Sequence, residues 1–329
     1  MEPIKEGEGY LVLKDFNLRI RYVGRIRWEG KQGRLEIIYV NGRWFAHLPI
    51  EVGVDPPISN PKGYVKPIYD DEERKKKKQR ITNLKSIKQR DPIGDKEAFI
   101  DMGLNNLFAA VISDGSALLI KGGKIKSEYY WWKREIATYQ AIRDLLRNAG
   151  FSKWVGYHEK YLKAMYKRDE RLRHLYITAI RFLVDELYDR GVRKLYIGYL
   201  YMLSQDNGNE YNTNVWWFRK IVLWIVNIFM EYGIDVEIVP EDYTSRECSI
   251  CGNKHKNGRI YRGLYECKKA GKKINADINA ALNIARRLGH RIRIARKLES
   301  YLVTHNGVKP LIPLQRANTR DPEVRNPAP

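Results

Sequence analysis

The sequence predicts an α/β fold with a mixed sheet, preceded by a smaller unit of β-strands. Residues 10–53 contain short segments in which apolar and polar residues alternate, with an Asn-Gly turn signal at residues 41–42. From residue 97 to residue 239, apolar strands interleave with helical segments, which is typical of an α/β layer. A cysteine-containing segment then precedes the last predicted helix, which begins near Asp277.

The first predicted domain covers residues 1–65 and is expected to be a small β-barrel. Leu18, Ile20 and Tyr22 alternate with arginines, and glycines separate several short strands. We expect one face of this unit to be strongly basic and to contact nucleic acid. The arginines predicted to do so are Arg19, Arg21, Arg25 and Arg27.

A basic linker is predicted over residues 66–95, after a proline-rich stretch at residues 54–65. Charge runs of this kind are usually solvated, but they also suit contact with phosphates, and the two interpretations are compatible. The lysines predicted to make phosphate contacts are Lys75, Lys76, Lys77 and Lys78.

The first part of the predicted α/β domain covers residues 96–245 and begins with a buried strand at residues 98–103 and a hairpin at residues 107–120. A long helical region covers about 127–190, with a break near Gly150 and Gly156. The later predicted parts are a strand at 194–200, a helix at 214–232, a strand at 234–239, the cysteine-containing insertion at 246–271, a closing helical part at 272–300 and a disordered tail at 301–329.

Composition favours a polyanionic partner. The chain has 60 Lys and Arg against 39 Asp and Glu, a formal charge of +21, and 12% aromatic residues that could stack on bases. Its longest apolar run, Ile221–Met230, is shorter than the ~20 residues of a bilayer span. Three cysteines do not make a disulfide framework. We therefore expect a cytoplasmic, intracellular nucleic-acid-binding protein without a membrane partner.

A second group of cations follows the predicted helix at residues 158–173 and would suit contact with a nucleic-acid duplex. The residues predicted to contact phosphates there are Lys163, Lys167 and Arg171. Residues 129–134 add rings beside cations, which could stack on bases, although aromatic residues at helical spacing more often belong to a core.

Two acids are candidates for a metal site. Asp101 ends an apolar strand and Asp277 opens a helix. Each has an ordinary alternative explanation: Asp101 could initiate a turn, and Asp277 could complement the helix dipole. Two such acids from distant parts of a chain also suit a two-metal Mg²⁺ site, which requires further oxygen ligands.

The cysteines form an incomplete metal knuckle. Cys248 and Cys251 make a Cys-x-x-Cys pair and Cys267 follows, but the place for a fourth cysteine is Ala270. A structural zinc requires four ligands, usually Cys or His. His255 could be the fourth ligand of a Zn²⁺ site; the alternative is a collapsed ribbon that retains free thiols.

Three motifs occur in the order Ile100–Leu107 (IDMGLNNL), Tyr243–Gly252 (YTSRECSICG) and Asn275–Ile284 (NADINAALNI). Together they resemble the TnpB (OrfB) family of insertion-sequence transposon proteins, which are RNA-guided nucleases related to the type V CRISPR effectors. The resemblance extends from about residue 10 to residue 288. It implies an RNase H-like (RuvC) domain with an inserted zinc ribbon, after an oligonucleotide-binding-like wedge domain that is N-terminally shortened in this chain.

The same resemblance implies a guide RNA made from the transposon end and a double-stranded DNA target. The family usually carries a catalytic glutamate where this chain has Gly198, so two hypotheses remain open. In the first, Glu241 replaces that glutamate and the chain is a Mg²⁺-dependent DNA endonuclease with Asp101, Glu241 and Asp277 as ligands; Asp242 and Glu247 are lesser candidates. In the second, the chain is a nuclease-inactive RNA-guided DNA-binding protein.

Overall fold

A computed structural model of the chain describes residues 2–5, 8–24, 31–40, 42–51, 90–199, 217–240, 247–261, 263–294 and 298–311. Among these residues, no helix combines the length and the apolar character that crossing a bilayer requires.

The N-terminal part consists of short strands that form three separate small sheets, ordered β1-β2-β3, β4-β7 and β5-β6. The strands are β1 (Glu2–Lys5), β2 (Glu8–Leu13), β3 (Leu18–Val23), β4 (Lys31–Gln32), β5 (Glu36–Val40), β6 (Arg43–His47) and β7 (Ile50–Glu51). The predicted strands and the hairpin at residues 36–47 are present. A closed barrel is not formed by the described residues of this part. Several of its large apolar side chains, such as Val23 and Trp44, are exposed, whereas Leu11 is buried.

The remaining strands are β8 (Lys96–Met102), β9 (Asn106–Ile112), β10 (Ala117–Lys121), β11 (Val192–Tyr199), β12 (Asp235–Pro240), β13 (Arg259–Tyr261), β14 (Leu264–Cys267), β15 (Lys272–Asn275), β16 (Glu299–Thr304) and β17 (Gly307–Pro310). The helices are α1 (Gly123–Asn148), α2 (Trp154–Asp189), α3 (Phe218–Glu231) and α4 (Ala276–Arg287). Strands and helices interleave, so the predicted mixed α/β fold is confirmed.

A seven-stranded sheet organises the molecule, in the order β12-β11-β8-β9-β10-β16-β17. β9 runs antiparallel to β8 and β10, whereas β11 and β12 run parallel to β8. The carboxyl ends of β8, β10, β11 and β12 therefore lie along one edge of the sheet, where β9 begins. We call this edge the carboxyl edge.

Both faces of the sheet are covered, which explains why β8 and β9 are almost wholly apolar. Ala98, Ile100 and Met102 point to the face that packs against α1, α2 and α3. Phe99 points to the other face, where it packs against α4. Alternation along β8 places Asp101 on this second face, the same face as α4.

The helical hairpin of α1 and α2 breaks where the sequence predicts it. Residues 149–153 separate the two helices, and Gly150 has a φ of +76°, a conformation that glycine adopts without steric cost. The other glycine expected at the break, Gly156, instead lies inside α2. Helix α3 is largely buried, as its nearly continuous apolar sequence predicts.

The C-terminal strands extend the sheet and differ from the expected disordered tail. β16 pairs in parallel with β10, and β17 folds back on β16. Val303 is completely buried, and the Arg190 guanidinium donates two hydrogen bonds to the Glu299 carboxylate, at 3.1 and 2.8 Å. Ordered structure therefore continues to residue 311, and the later part of the predicted tail lies outside the described residues.

Candidate metal centre and nucleic-acid interface

Asp101 lies at the carboxyl edge, one residue before β8 ends at Met102. It is only 6% exposed. A buried carboxylate requires hydrogen-bond donors, a cation or a metal to compensate for the water that it loses. The predicted strand-end acid is therefore in place, held by a strand that is buried on both faces.

Asp277 lies in the first turn of α4, far from Asp101 in the sequence, and its carboxylate lies at the same edge. Asn275 caps this helix: its side-chain oxygen accepts hydrogen bonds from the backbone N–H groups of Asp277 and Ile278, at 3.0 and 3.1 Å. The Asp277 carboxylate accepts a hydrogen bond from the amide of Asn106, with Nδ2 and Oδ2 2.5 Å apart. Because Asn106 begins β9, this bond joins α4 to the carboxyl edge.

Arg259 from β13 lies on the other side of the Asp277 carboxylate. The distance from its guanidinium nitrogen to Oδ1 of Asp277 is 3.7 Å. The sequence did not mark Arg259 or Asn106 as site residues. Asn106 carried a usable signal, because an amide side chain is unusual in an otherwise apolar strand and requires a partner when buried.

Gly198 occupies the place beside Asp101. The register of β11 and β8 pairs Tyr196 with Phe99 and Ile197 with Ile100, so the next position in β11 is adjacent to Asp101. Gly198 in turn pairs with Val239 of β12. The predicted ligand Glu241 and the lesser candidate Asp242 follow the end of β12 and lie outside the described residues.

These acids suit a hard cation. Mg²⁺ is commonly held by one or two carboxylates and completed by water and phosphate oxygens. Asp101 and Asp277 supply two carboxylates from separate elements at one edge. Within the described ranges, the only group of three or more metal-ligating side chains is the cysteine and histidine cluster, so a third acid for this edge would come from elsewhere.

The cysteine and histidine cluster contains Cys248, Cys251, His255 and Cys267, whose ligand atoms all lie within 4.8 Å of one another. Cys251 Sγ and His255 Nε2 are 3.1 Å apart. Zinc–sulfur bonds of about 2.3 Å place the sulfurs of a tetrahedral site roughly 3.8 Å apart. The expectation that His255 joins the three cysteines is confirmed, and the arrangement is compatible with zinc.

The thiols of the cluster differ in their surroundings. Burial raises the pKa of the Cys248 thiol to about 11. At Cys251 the opposing effect of burial is outweighed by hydrogen bonds from the Asn253 backbone and the neighbouring thiols, which lower the pKa. A thiophilic cation bound here would therefore meet one thiol whose pKa is lowered and one whose burial it would have to compensate.

The cluster segment, residues 247–275, docks on α4 through two buried asparagines. Asn279 and Asn283 both donate hydrogen bonds to the backbone carbonyl of Glu247, at 2.7 and 2.8 Å. The Asn279 side-chain oxygen also accepts a hydrogen bond from the backbone N–H of Ser249, at 2.8 Å. The motif on α4 therefore positions the insertion as well as Asp277.

The predicted phosphate-contacting cations fall into three groups. Arg19 and Arg21 are exposed on one face of β3, and Arg19 lies over the Tyr10 ring at 4.1 Å. Arg25, Arg27, Lys75, Lys76, Lys77 and Lys78 lie outside the described residues.

On α2, the three predicted cations have different neighbours. Lys163 is exposed beside Glu159, with 3.7 Å between charged atoms. Lys167 lies over the Trp132 ring at 5.5 Å. Arg171 donates a hydrogen bond to the buried Glu128, so its charge is already engaged within the fold.

Two family models match the chain. Residues 72–203 match the OrfB_IS605 family, described as "Probable transposase". Residues 218–284 match the family described as "Cas12f1-like, TNB domain". The first match contains β8, which carries Asp101. The second match ends within α4, which carries Asp277.

Known relatives of the chain are named as TnpB-like and Cas12f1 proteins. The chain is 37% identical over 311 residues to the TnpB-like protein ORF457 of Acidianus two-tailed virus, covering 92% of this chain and 63% of that protein. It is 25% identical over 185 residues to the CRISPR-associated endodeoxyribonuclease Cas12f1 of Syntrophomonas palmitatica, covering 54% of this chain and 36% of that protein. The chain thus spans less than two thirds of the length of these relatives.

Solved structures show a weaker likeness. A Cas12f1-sgRNA-target DNA complex matches with a TM-score of 0.46 and 22% identity, covering 60% of this chain and 39% of that one. A CRISPR-Cas12f ternary complex matches with a TM-score of 0.45 and 21% identity, covering 61% and 41%.

The two family models together cover more than half of the chain, and the viral relative extends over almost all of it. Asp101 lies within the first matched range, and Cys248 and Asp277 lie within the second. The chain belongs to the TnpB (OrfB) family.

Proposed function

We propose that this chain is a transposon-associated, RNA-guided endonuclease that hydrolyses phosphodiester bonds of double-stranded DNA with Mg²⁺. The observation that carries the proposal is that Asp101 lies next to the end of β8 while Asp277 accepts a hydrogen bond from Asn106, the first residue of β9, at the same edge of the sheet. Family membership supports it, since two relatives are named as Cas12f1 endodeoxyribonucleases.

The order of the strands supports an RNase H-like (RuvC) core for this activity. Three antiparallel strands, β10-β9-β8, are followed by two strands, β11 and β12, that run parallel to β8. This is the arrangement of RNase H-type nucleases, in which acids at one sheet edge hold the metals. The N-terminal strands would then act as the wedge domain.

Asp101, Glu241 and Asp277 would hold two Mg²⁺ ions. When bound, these ions supply an activated water and stabilise the leaving 3′ oxygen. The residues of the chain supply geometry: a rigid strand holds Asp101, and a capped helix holds Asp277. A carboxylate pair that is fixed before substrate binds does not have to reorganise during the reaction.

Glu241 is proposed as the third acid because of the neighbours of Gly198. Gly198 follows the register beside Asp101 and pairs with Val239, whose side chain packs on the α4 face with Phe99. Glu241 comes two positions after Val239 in the sequence, and side chains two apart along a strand point to the same face of the sheet. Were β12 to continue to Glu241, the carboxylate would lie on the α4 face, on the side of Gly198, where the family's glutamate is carried.

The cluster of Cys248, Cys251, His255 and Cys267 would hold a structural Zn²⁺, which would stiffen the insertion that carries Arg259. The guide RNA from the transposon end and the target DNA would contact the basic surfaces. Arg19, Arg21 and Lys163 are exposed and are the best supported of the described cations, whereas Arg171 is the least supported because it pairs with Glu128.

The test is cleavage of target plasmid by the chain purified with RNA transcribed from its flanking transposon end. Asp101→Ala, Glu241→Ala and Asp277→Ala should each slow cutting by about 10²- to 10³-fold while RNA binding persists, because each removes a metal ligand. Asp144→Ala is the matched control, since that half-exposed acid pairs with Arg143 on the distant helix α1.

The outcomes of the cleavage assay distinguish the nuclease with Glu241 as third acid from the alternatives. Normal cutting by Glu241→Ala would show that the relocated acid is wrong. If the wild type binds guide and target but never cuts with Mg²⁺ or Mn²⁺, the chain is instead a nuclease-inactive RNA-guided DNA-binding protein.

A further inference from the structure

We infer that Asn106 is a positioning residue that sets the metal affinity of Asp277. The inference rests on the proposed function, because it concerns the same two-acid edge. It adds a residue that touches no metal itself and acts through the carboxylate to which it donates a hydrogen bond.

The contact between Asn106 and Asp277 is short, partly buried and long-range in sequence. Asn106 is 5% exposed, and its Nδ2 lies 2.5 Å from Oδ2 of Asp277, a residue 171 positions away. The Asp277 side chain keeps 19% of its surface exposed. A hydrogen bond between an amide donor and a carboxylate restricts rotation of the carboxylate, because an ionised acceptor makes the bond stronger and more directional.

The bond leaves a defined part of Asp277 for a metal. Oδ2 accepts from Asn106, while Oδ1 faces the Arg259 guanidinium at 3.7 Å, too far for a strong hydrogen bond. Oδ1 is therefore the atom more accessible to a cation. Without the amide, the carboxylate could turn and pair more closely with Arg259, which would compete with Mg²⁺ for the same oxygen.

Asn106 itself is held by a tightly constrained turn. The Gly122 N–H donates a hydrogen bond to the Asn105 carbonyl at 2.9 Å, and the Gly103 N–H donates to the Leu107 carbonyl at 3.3 Å. A Cβ on Gly122 would come within 2.5 Å of the Leu104 carbonyl oxygen, so only glycine permits this approach. The turn before β9 thus has little freedom, and Asn106 transmits that rigidity to Asp277.

Asn105 provides a matched control. It is the same residue type, directly adjacent, but it is exposed and its side chain contacts Lys126 rather than Asp277. A role that is merely structural would show in the folding stability of Asn106 variants and leave metal affinity alone. A positioning role would show in metal affinity at unchanged folding.

The experiment measures Mn²⁺ binding to the full chain by electron paramagnetic resonance, without nucleic acid and without turnover. Variants are Asn106→Ala, Asn106→Ser, Asn105→Ala and Asp277→Ala, each checked for folding by thermal melting. We expect Asn106→Ala to weaken Mn²⁺ binding by about 10- to 100-fold, as loss of an outer-sphere partner does, with Asn105→Ala unchanged. The serine side chain of Asn106→Ser is too short to reach Asp277, so this variant should lose the same Mn²⁺ affinity. It replaces Asn106→Ala if the alanine variant misfolds.

Two failures can be told apart. If Asp277→Ala binds Mn²⁺ as well as the wild type does, the proposed metal site is wrong. If Asp277→Ala loses binding while both Asn106 variants keep wild-type affinity, the proposed function survives and the positioning role is overturned. In the cleavage assay, Asn106→Ala should raise the Mg²⁺ concentration for half-maximal rate, with the rate largely recovered at saturating Mg²⁺.

Discussion

Glu128 links the two helices of the helical hairpin to the C-terminal strands, and replacing it with glutamine should destabilise the chain in a pH-dependent way. The carboxylate is 7% exposed. It accepts hydrogen bonds from Arg171, from Trp132 Nε1 at 3.0 Å and from His305 Nε2 at 2.9 Å, where His305 lies in the turn between β16 and β17. Glutamine keeps the shape of the side chain and removes its charge.

The magnitude follows from the pKa of Glu128. Burial alone would raise it, but the hydrogen bonds from Arg171, His305 and Trp132 outweigh burial and lower the pKa from 4.5 to about 2. Because the folded value lies below the unfolded one, the charge stabilises the fold above pH 4.5 and this contribution disappears as the pH falls towards 2. A shift of that size corresponds to about 3 kcal/mol at neutral pH, of which about 1.4 kcal/mol is lost by pH 3.5.

The assay is urea unfolding of wild type and Glu128→Gln at pH 7 and pH 3.5, followed by tryptophan fluorescence. The difference in the free energy of unfolding should be about 3 kcal/mol at pH 7 and about 2 kcal/mol at pH 3.5. Glu135→Gln, a half-buried acid on the same helix, is the control for loss of a charge. An equal difference at both pH values would refute the reasoning, since it would mean that Glu128 is not held ionised by its partners.

The remaining predictions concern the cysteine cluster and its docking. Elemental analysis of the purified chain should find about one zinc per chain. Cys248→Ser should lose most of this zinc, whereas Lys268→Ala, at an exposed position, should keep it. Equal zinc content in the two variants would exclude the proposed ligand set. Asn279→Ala should cost about 1–3 kcal/mol and speed amide hydrogen exchange across residues 247–275, because it leaves the Glu247 carbonyl and the Ser249 N–H with fewer partners. Asn253→Ala, an exposed asparagine of the same segment, should leave the exchange unchanged, and slow exchange in Asn279→Ala would argue against this docking.

Local pattern was sufficient for several parts of this protein. The apolar strand that carries Asp101 near its end and the Asn-capped helix that carries Asp277 follow from residues within one element. The spacing of Cys248, Cys251 and Cys267, with His255 four residues after the second cysteine, also predicted a cluster that the fold confirms. These features depend on neighbours in sequence, which set strand alternation, helix capping and the reach of a short loop.

The sequence did not predict which distant segments pair with one another in the sheets. The parallel contact of β16 with β10 turned part of an expected tail into sheet, and the pairing of the described N-terminal strands within three small sheets could not be read from their sequence. A short alternating segment indicates a strand but does not say which strand it joins, because the partner depends on burial and loop closure across the whole chain.

The sequence by itself identified the family, predicted Asp101 near the end of a strand and Asp277 at the start of a helix, and predicted the four members of the cysteine and histidine cluster. Only the tertiary structure decided that Asn106 donates a hydrogen bond to Asp277 and that Gly198 lies in register beside Asp101. The same is true of the hydrogen bond from Arg171 to Glu128. The physical reason is the same in each case. A motif is a property of adjacent residues, whereas a hydrogen bond between residues 171 positions apart exists only after the sheet and its helices have packed.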